Sequence, residues 1–244
     1  MQVQPAPRTN ALGQPIGAAV EGWSPRAFPA RSTMQGRTCR LEPFDVARHA
    51  DDLIEAFGAD IEGRTWTYLP YGPFASPEAH RAQIAAWSST ADPQFYAIID
   101  EATGKAIGQA SYLRIDPANG VIEVGHLAFS PALQRTTAST EAMYLMMRYA
   151  FEECGYRRYE WKCDSHNVPS WSTAERLGFT FEGTFRQAVV VKGRNRDTTW
   201  LSITDAEWPA RRDALEGWLS PENFDAEGRQ RRSLLEFQRE TGAR

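Results

Sequence analysis

The stretch that decides the fold reads His126-Leu127-Ala128-Phe129-Ser130-Pro131-Ala132-Leu133-Gln134-Arg135-Thr136-Thr137-Ala138-Ser139-Thr140-Glu141-Ala142. An apolar strand ends, a short polar loop turns, and a long helix begins. The first N–H groups of a helix have no partner within it and lie at the positive end of its dipole. A loop of small residues there can wrap an anion such as a pyrophosphate with main-chain donors. Thr136, Thr137, Ser139 and Thr140 can add hydroxyl donors, although Ser and Thr are equally the ordinary caps of a helix start.

On the N-terminal side of this loop lie three strand candidates, Phe95 to Asp100, Ala106 to Arg114 and Val121 to Phe129. Turn-rich pieces such as Asp116-Pro117-Ala118-Asn119-Gly120 separate them, as in an antiparallel meander. Before them come a short strand, Thr38 to Leu41, a helix from Asp45 to Phe57, and a second helix opened by Ser76 as N-cap with Pro77 in its first turn. On the C-terminal side the helix runs from about Thr137 to Cys154. Its Met143, Met146, Met147 and Ala150 recur on one face at helical spacing, which is core packing. A strand from Arg158 to Asp164, a helix from Val168 to Leu177 stopped by Gly178, and strands Thr180 to Val191 and Asp197 to Ile203 complete a mixed α/β pattern of seven strands.

Residues 1–36 carry five prolines and no periodicity, so an extended arm is expected, docked through Trp23 or Phe28. Residues 37–208 form the α/β domain, and 209–244 a helical extension whose arginines alternate with acids, as on a solvated helix face. The 244 residues hold 27 Lys and Arg against 31 Asp and Glu, a net charge of −4, which argues against a protein that coats nucleic acid or anionic lipid. Cys39, Cys154 and Cys163 have neither disulfide nor zinc spacing, so no metal is expected. No apolar run approaches the roughly 20 residues that span a bilayer, and the first thirty residues lack the apolar stretch of a secretory signal. A cytoplasmic location without membrane contact is expected.

The order of elements around the loop resembles the GNAT acetyltransferases, whose phosphate loop follows Gln/Arg-x-x-Gly-x-Gly/Ala. Gln134 begins the match; Thr137 and Ser139 stand where that pattern has small glycine-type residues. Asn167-Val168-Pro169-Ser170 and Ala174-Glu175-Arg176-Leu177-Gly178-Phe179 resemble the RimJ/RimL-like, ribosomal-protein N-terminal acetyltransferase branch, and the resemblance covers about residues 36–208. It implies a mixed central sheet of about seven strands, helices on both faces, and a splay between the fourth and fifth strands, Val121 to Phe129 and Arg158 to Asp164.

The resemblance further implies acetyl-CoA as co-substrate, its pantetheine arm paired with Leu127, Ala128 and Phe129. Gln134, Arg135, Thr136, Thr137, Ala138, Ser139 and Thr140 would hold its phosphates, and Asn167 a further contact. The acceptor is expected to be a primary amine, of a protein N-terminus or a small molecule. His126 ranks first as general base, then Glu123 and Glu160, since only imidazole has an ordinary pKa near neutrality. Regular alternation sets Glu123 and His126 on opposite faces, whereas the bulge usual in this family resets that parity. Ser170 is the candidate proton donor to the leaving thiolate, with helix capping as its alternative role. Trp66, Tyr68, Tyr71, Phe74, Arg186 and Trp200 are expected around the acceptor. A homodimer fits the resemblance, and an acyl-CoA binder without turnover is the rival reading.

Overall fold

The computed structural model describes residues 8–243; the opening of the arm, with Pro5 and Pro7, and the final residue of the tail, Arg244, lie outside the described residues. The strands are β1 (Arg8–Thr9), β2 (Pro15–Ile16), β3 (Met34–Gln35), β4 (Cys39–Pro43), β5 (Gln94–Asp100), β6 (Ala106–Asp116), β7 (Val121–Phe129), β8 (Arg158–Asp164), β9 (Thr180–Val191) and β10 (Arg194–Thr204). The helices are α1 (Val46–Gly58), α2 (Pro77–Ser88), α3 (Thr137–Arg148), α4 (Val168–Leu177), α5 (Trp208–Leu219) and α6 (Leu234–Glu240).

β1 and β2 form a hairpin of their own, and the other eight strands make one sheet in the order β3-β4-β5-β6-β7-β8-β10-β9. The seven expected strands are all in this sheet. The eighth, β3, comes from the stretch read as an arm, with Met34 opposite Leu41. Among the described residues only the β7–β8 pair is parallel.

Helices cover both faces, so the inner strand β5 is buried from Gln94 to Ile99 and its residues sort by period two. Phe95, Ala97 and Ile99 pack under α1 and α2, together with Leu53, Phe57, Ile84 and Trp87. Tyr96 and Ile98 face the other core, filled by Met143, Met146, Met147 and Ala150 of the α3 helix and by Trp208, Leu215 and Leu234 of the tail. Asp45 caps α1 by accepting from the N–H groups of Ala47 and Arg48, and Ser76 caps α2. α3 runs on through a wider π turn, Tyr149–Glu153.

The arm docks through Trp23, whose Nε1 donates to the Ala118 carbonyl at 3.1 Å, while Phe28 stays 46% exposed. Trp23 lies on Gly120, where a Cβ would stand 2.3 Å from the indole and φ is +62°, so glycine is required twice over. Farther along, Gln94 donates to the Pro29 carbonyl, Tyr149 to that of Ala30, and Tyr156 to that of Ala27.

What positions the site is a parting of two strands. β7 pairs with β8 only from Val121 to Val124, against Arg158 to Trp161. Beyond that point β7 continues with β6 as far as Phe129, and β8 with β10 as far as Asp164, leaving a wedge between them. The bend comes from an extra residue in β7: Gly125 lies opposite Ser111 and Ala128 opposite Gln109, so three steps of β7 match two of β6. His126 stands in this bulge with φ of +52°, a left-handed conformation.

Candidate functional site

The bulge resets the alternation of β7. Ile122 and Val124 face the α3 core, Ala128 packs in the α1/α2 core, and the His126 ring lies 5.6 Å from Tyr71 and 5.0 Å from Phe95 on that same α1/α2 side. Glu123 and His126 therefore share one face of the wedge, as the bulged alternative requires.

Their surroundings differ. Both Glu123 oxygens are taken by cations: Arg114 grips the carboxylate with two N–H bonds of 2.7 and 2.6 Å, and Lys162 Nζ lies 2.8 Å away. Lys162 also bonds Glu160 at 2.8 Å, and Arg158 joins Glu160 to Glu182. The Lys162 ammonium sits 3.6 Å above the Trp200 ring. Glu123 and Glu160 are thus members of a buried chain of ion pairs whose charges are mutually matched.

His126 carries no ion pair among the described residues. Its Nδ1 is 3.1 Å from the Tyr71 hydroxyl, and Gln109 Nε2 donates to that hydroxyl at 3.1 Å. Burial, with the nearby charges of Arg114 and Arg196, pushes the imidazole down to about 4, so it is unprotonated at neutral pH. Burial pushes the Tyr71 phenol up, keeping its proton in place. With the histidine proton on Nδ1, the Tyr71 oxygen accepts from both His126 and Gln109 and the Nε2 lone pair is free; with the proton on Nε2, Tyr71 donates to Nδ1.

A roof closes this side. Tyr68 donates its hydroxyl proton to the His166 carbonyl at 3.1 Å, bridging from the loop before α2 to the turn after β8. The β9–β10 hairpin clasps the same loop: Lys192 Nζ bonds the carbonyls of Trp66 and Gly72, and Arg194 that of Thr67. Trp66 is 3% exposed and packs among Phe57, Phe74 and His80, so it supports the pocket from behind rather than lining it.

On the opposite face, toward α4, Trp161 Nε1 donates to Ser170 Oγ at 3.0 Å, and the Ser170 hydroxyl in turn reaches the Cys163 sulfur. Cys163 lies beside it, its thiol pushed up by burial, so it is a neutral neighbour and not a nucleophile. Asn167 caps α4 through Oδ1, which accepts from the Ser170 N–H at 3.3 Å, and its Nδ2 has no partner among the described residues. The capping and ligand-facing readings of Asn167 are compatible within one side chain.

The loop at the α3 N-terminus turns at Arg135 (φ +63°). Thr136 is the N-cap: its Oγ1 accepts from the Ser139 N–H and donates to the Leu133 carbonyl, and Ser139 Oγ donates back to the Thr136 carbonyl. Those hydroxyls are committed to the loop itself. The N–H groups of Arg135, Thr137 and Ala138 have no partner among the described residues, so the anion-binding capacity is in the main chain. Gln134 braces the turn by donating to the Phe129 carbonyl at 2.7 Å. Thr140 is buried beneath the loop and accepts from Arg176 at 3.0 Å.

Past Val124 the β7 segment holding Leu127, Ala128 and Phe129 has no strand partner on its β8 side, and its free main-chain groups lead from the loop to His126. The residues thus fit a long amide-bearing ligand ending in an anion. Sequence reasoning missed Gln109, Lys162 and Arg196. Lys162 was recoverable, lying two residues from Glu160 on a strand of period two, whereas the other two depend on which strands become neighbours.

A sheet that parts between two parallel strands, with an open helix N-terminus at the head of the parting, defines an acetyltransferase of GNAT type. The family model for the acetyltransferase (GNAT) domain matches residues 39–180, and the chain belongs to this family. A crystal structure of a GCN5-related N-acetyltransferase from Brucella melitensis is 46% identical, with a TM-score of 0.88, covering 90% of this chain and 100% of that one. YdaF of Bacillus subtilis, provisionally named a ribosomal N-acetyltransferase, is 28% identical over 174 residues, 69% of this chain and 90% of its own length. RimL, a ribosomal L7/L12 alpha-N-protein acetyltransferase solved in complex with coenzyme A, shares the fold at 20% identity and a TM-score of 0.61, over 71% of this chain and 98% of that one. The resemblance to the RimJ/RimL-like branch is consistent with these relatives.

Proposed function

We propose that this chain transfers the acetyl group of acetyl-CoA directly to a primary amine. The observation that carries the reading is the wedge itself, which has main-chain donors at the α3 N-terminus, an unpaired β7 edge, and an unprotonated imidazole at its inner end. Acetyl-CoA supplies the activated acetyl group; Arg135, Thr137 and Ala138 would hold its phosphates, and Leu127, Ala128 and Phe129 its amide-bearing arm.

His126 is the base of this reaction, in the tautomer whose Nδ1–H is held by Tyr71. A base this weak is suited to taking a proton from nitrogen as the C–N bond forms, when that nitrogen becomes strongly acidic. Glu123 serves to fix Arg114 and Lys162. Ser170, whose oxygen already accepts from Trp161, donates its proton toward the departing sulfur. Backbone N–H groups freed by the bulge stabilise the negative charge that develops on the carbonyl oxygen.

Calorimetric titration with acetyl-CoA, followed by thiol release with a pool of amines, tests the reading. Micromolar binding with amine-dependent thiol release supports it. No binding shows that Thr137 and Ser139 have closed the loop to phosphate, and binding without turnover would leave a silent acyl-CoA binder.

A further inference from the structure

The acceptor side of the wedge holds a part-buried guanidinium, that of Arg196, whose side chain has neither a counter-charge nor an acceptor among the described residues. On the α1/α2 face of β10, Trp200 lies under the Lys162 ammonium, and two alternate positions further toward the hairpin is Arg196. It sits beyond the end of the β8 pairing, which begins at Thr198 opposite Asp164, so its side chain belongs to the open mouth of the wedge.

The deeper cations are neutralised: Arg114 and Lys162 by Glu123, Lys162 and Arg158 by Glu160, and Arg158 again by Glu182. The Arg196 side chain makes no hydrogen bond or ion pair among the described residues, and its Nε is shut off from water with no acceptor. Native proteins rarely bury a charged donor in this way unless something else completes it. Its neighbours do not compensate. Lys192 and Arg194 bond carbonyl oxygens rather than carboxylates, and Asp197 accepts from the Gln187 N–H and from Asn195. The charge of Arg196 also reaches the His126 ring.

Resting on the acetyltransferase reading, we propose that the acceptor is a primary amine bearing a carboxylate a few bonds from its amino group, the carboxylate held by Arg196 while the amino group faces His126. Arg is suited to this because its planar fork matches a carboxylate with two parallel N–H bonds. A free amino acid or a peptide beginning with Asp or Glu supplies that chemistry. A polyamine would bring further positive charge against Arg196, Lys192 and Arg194. In the transfer a C–N bond forms as the C–S bond breaks, the amine proton passes to His126 and on to solvent, and the thiolate leaves hydrogen-bonded by Ser170 and takes up a solvent proton as free CoA.

The experiment compares kcat/KM for three sets of acceptors on the full chain with saturating acetyl-CoA: free amino acids, dipeptides with acidic first residues, and the amides of the same amino acids together with spermidine. The acids are expected to exceed their amides by roughly 10- to 100-fold, mostly in KM. R196Q is expected to bring that ratio near one, with its folding checked by thermal unfolding and its cofactor site by acetyl-CoA titration. Which of the first two sets is faster tells the free amino acid from the peptide. Amides or spermidine turning over as fast as acids, or R196Q slowing acid and amide alike, overturns the assignment while the transferase reading stands. Acetyl-CoA binding without thiol release from any acceptor overturns both.

Discussion

At position 126 the side chain and the backbone make separate demands. The imidazole is the proposed base, while φ of +52° asks for a residue tolerant of the left-handed region. Asn accepts that region with little strain, and a β-branched residue there costs about 1–2 kcal/mol. H126N is therefore expected to unfold near the wild-type temperature while kcat/KM falls by roughly 10²- to 10⁴-fold. H126V should lose the same activity and several degrees of Tm as well, so thermal melts of the pair separate chemistry from backbone. Burial also governs the pH response. His126 and His80 are both lowered from 6.5 to about 4. The unfolded chain binds those protons below pH 6.5 and the folded chain only near 4, so stability is complete above 6.5 and lost as pH falls toward 4. The difference, 6.5 minus 4, is worth up to about 3 kcal/mol per imidazole. Urea unfolding at several values in this window should show the decline, and H80Q should flatten it. Sequence reasoning could name His126 from its ordinary pKa but not its depressed value, which depends on the approach of Tyr71, Phe95 and Arg196 from distant parts of the chain.

Among the elements, the β9–β10 hairpin clasps the loop that roofs the proposed acceptor site. Lys192 holds two carbonyls of the loop that carries Tyr68 and Tyr71, and K192M releases that clasp. The expected result is an acceptor KM raised about 10-fold with acetyl-CoA affinity unchanged, since each charged hydrogen bond contributes on the order of 1.5–3 kcal/mol, shared with solvent at this exposed tip. Steady-state kinetics with each substrate varied in turn checks it. Gly72 in the same loop has φ of +63°, and a Cβ there would stand 2.7 Å from the Trp66 indole, so G72A should lower Tm beyond the ordinary cost of a left-handed alanine. The strands were readable because Phe95 to Asp100 and Val121 to Phe129 have the composition and period of strands. β3 was not, since two residues carry no period. The loop at α3 was readable as a candidate anion site, but its hydroxyls at Thr136 and Ser139 are turned onto the backbone by N-cap geometry, which leaves the main-chain N–H groups as the candidate donors. A bulge leaves no mark in composition, so the shared face of Glu123 and His126 needed the register of β6 against β7 to appear.

Across the whole molecule, two cores share one sheet and the arm is strapped along its end. The arm's carbonyls at Ala27, Pro29 and Ala30 receive four side-chain donors, from Tyr156, Gln94, Tyr149 and, at 3.5 Å, Tyr96. Removing the chain through Ser32 would leave these donors unmet where burial limits water access, at about 1–3 kcal/mol for each group left unsatisfied. Differential scanning calorimetry should show a Tm lower by 10 °C or more. The proline content announced an irregular arm, and Trp23 its anchorage, but the carbonyl contacts belong to backbone that composition does not describe. One such long-range joint is the carboxylate of Glu141 in α3, which accepts from the backbone N–H groups of Arg37, Thr38 and Cys39 and from the Thr38 hydroxyl. Its partners precede it by 102 to 104 residues. During synthesis the entry to β4 therefore emerges long before the group that fastens it. β4 can pair with β3 and β5 before α3 is made, but its entry stays unfastened until then, and the arrival of Glu141 joins the first-made edge of the sheet to the helix that carries the proposed phosphate loop.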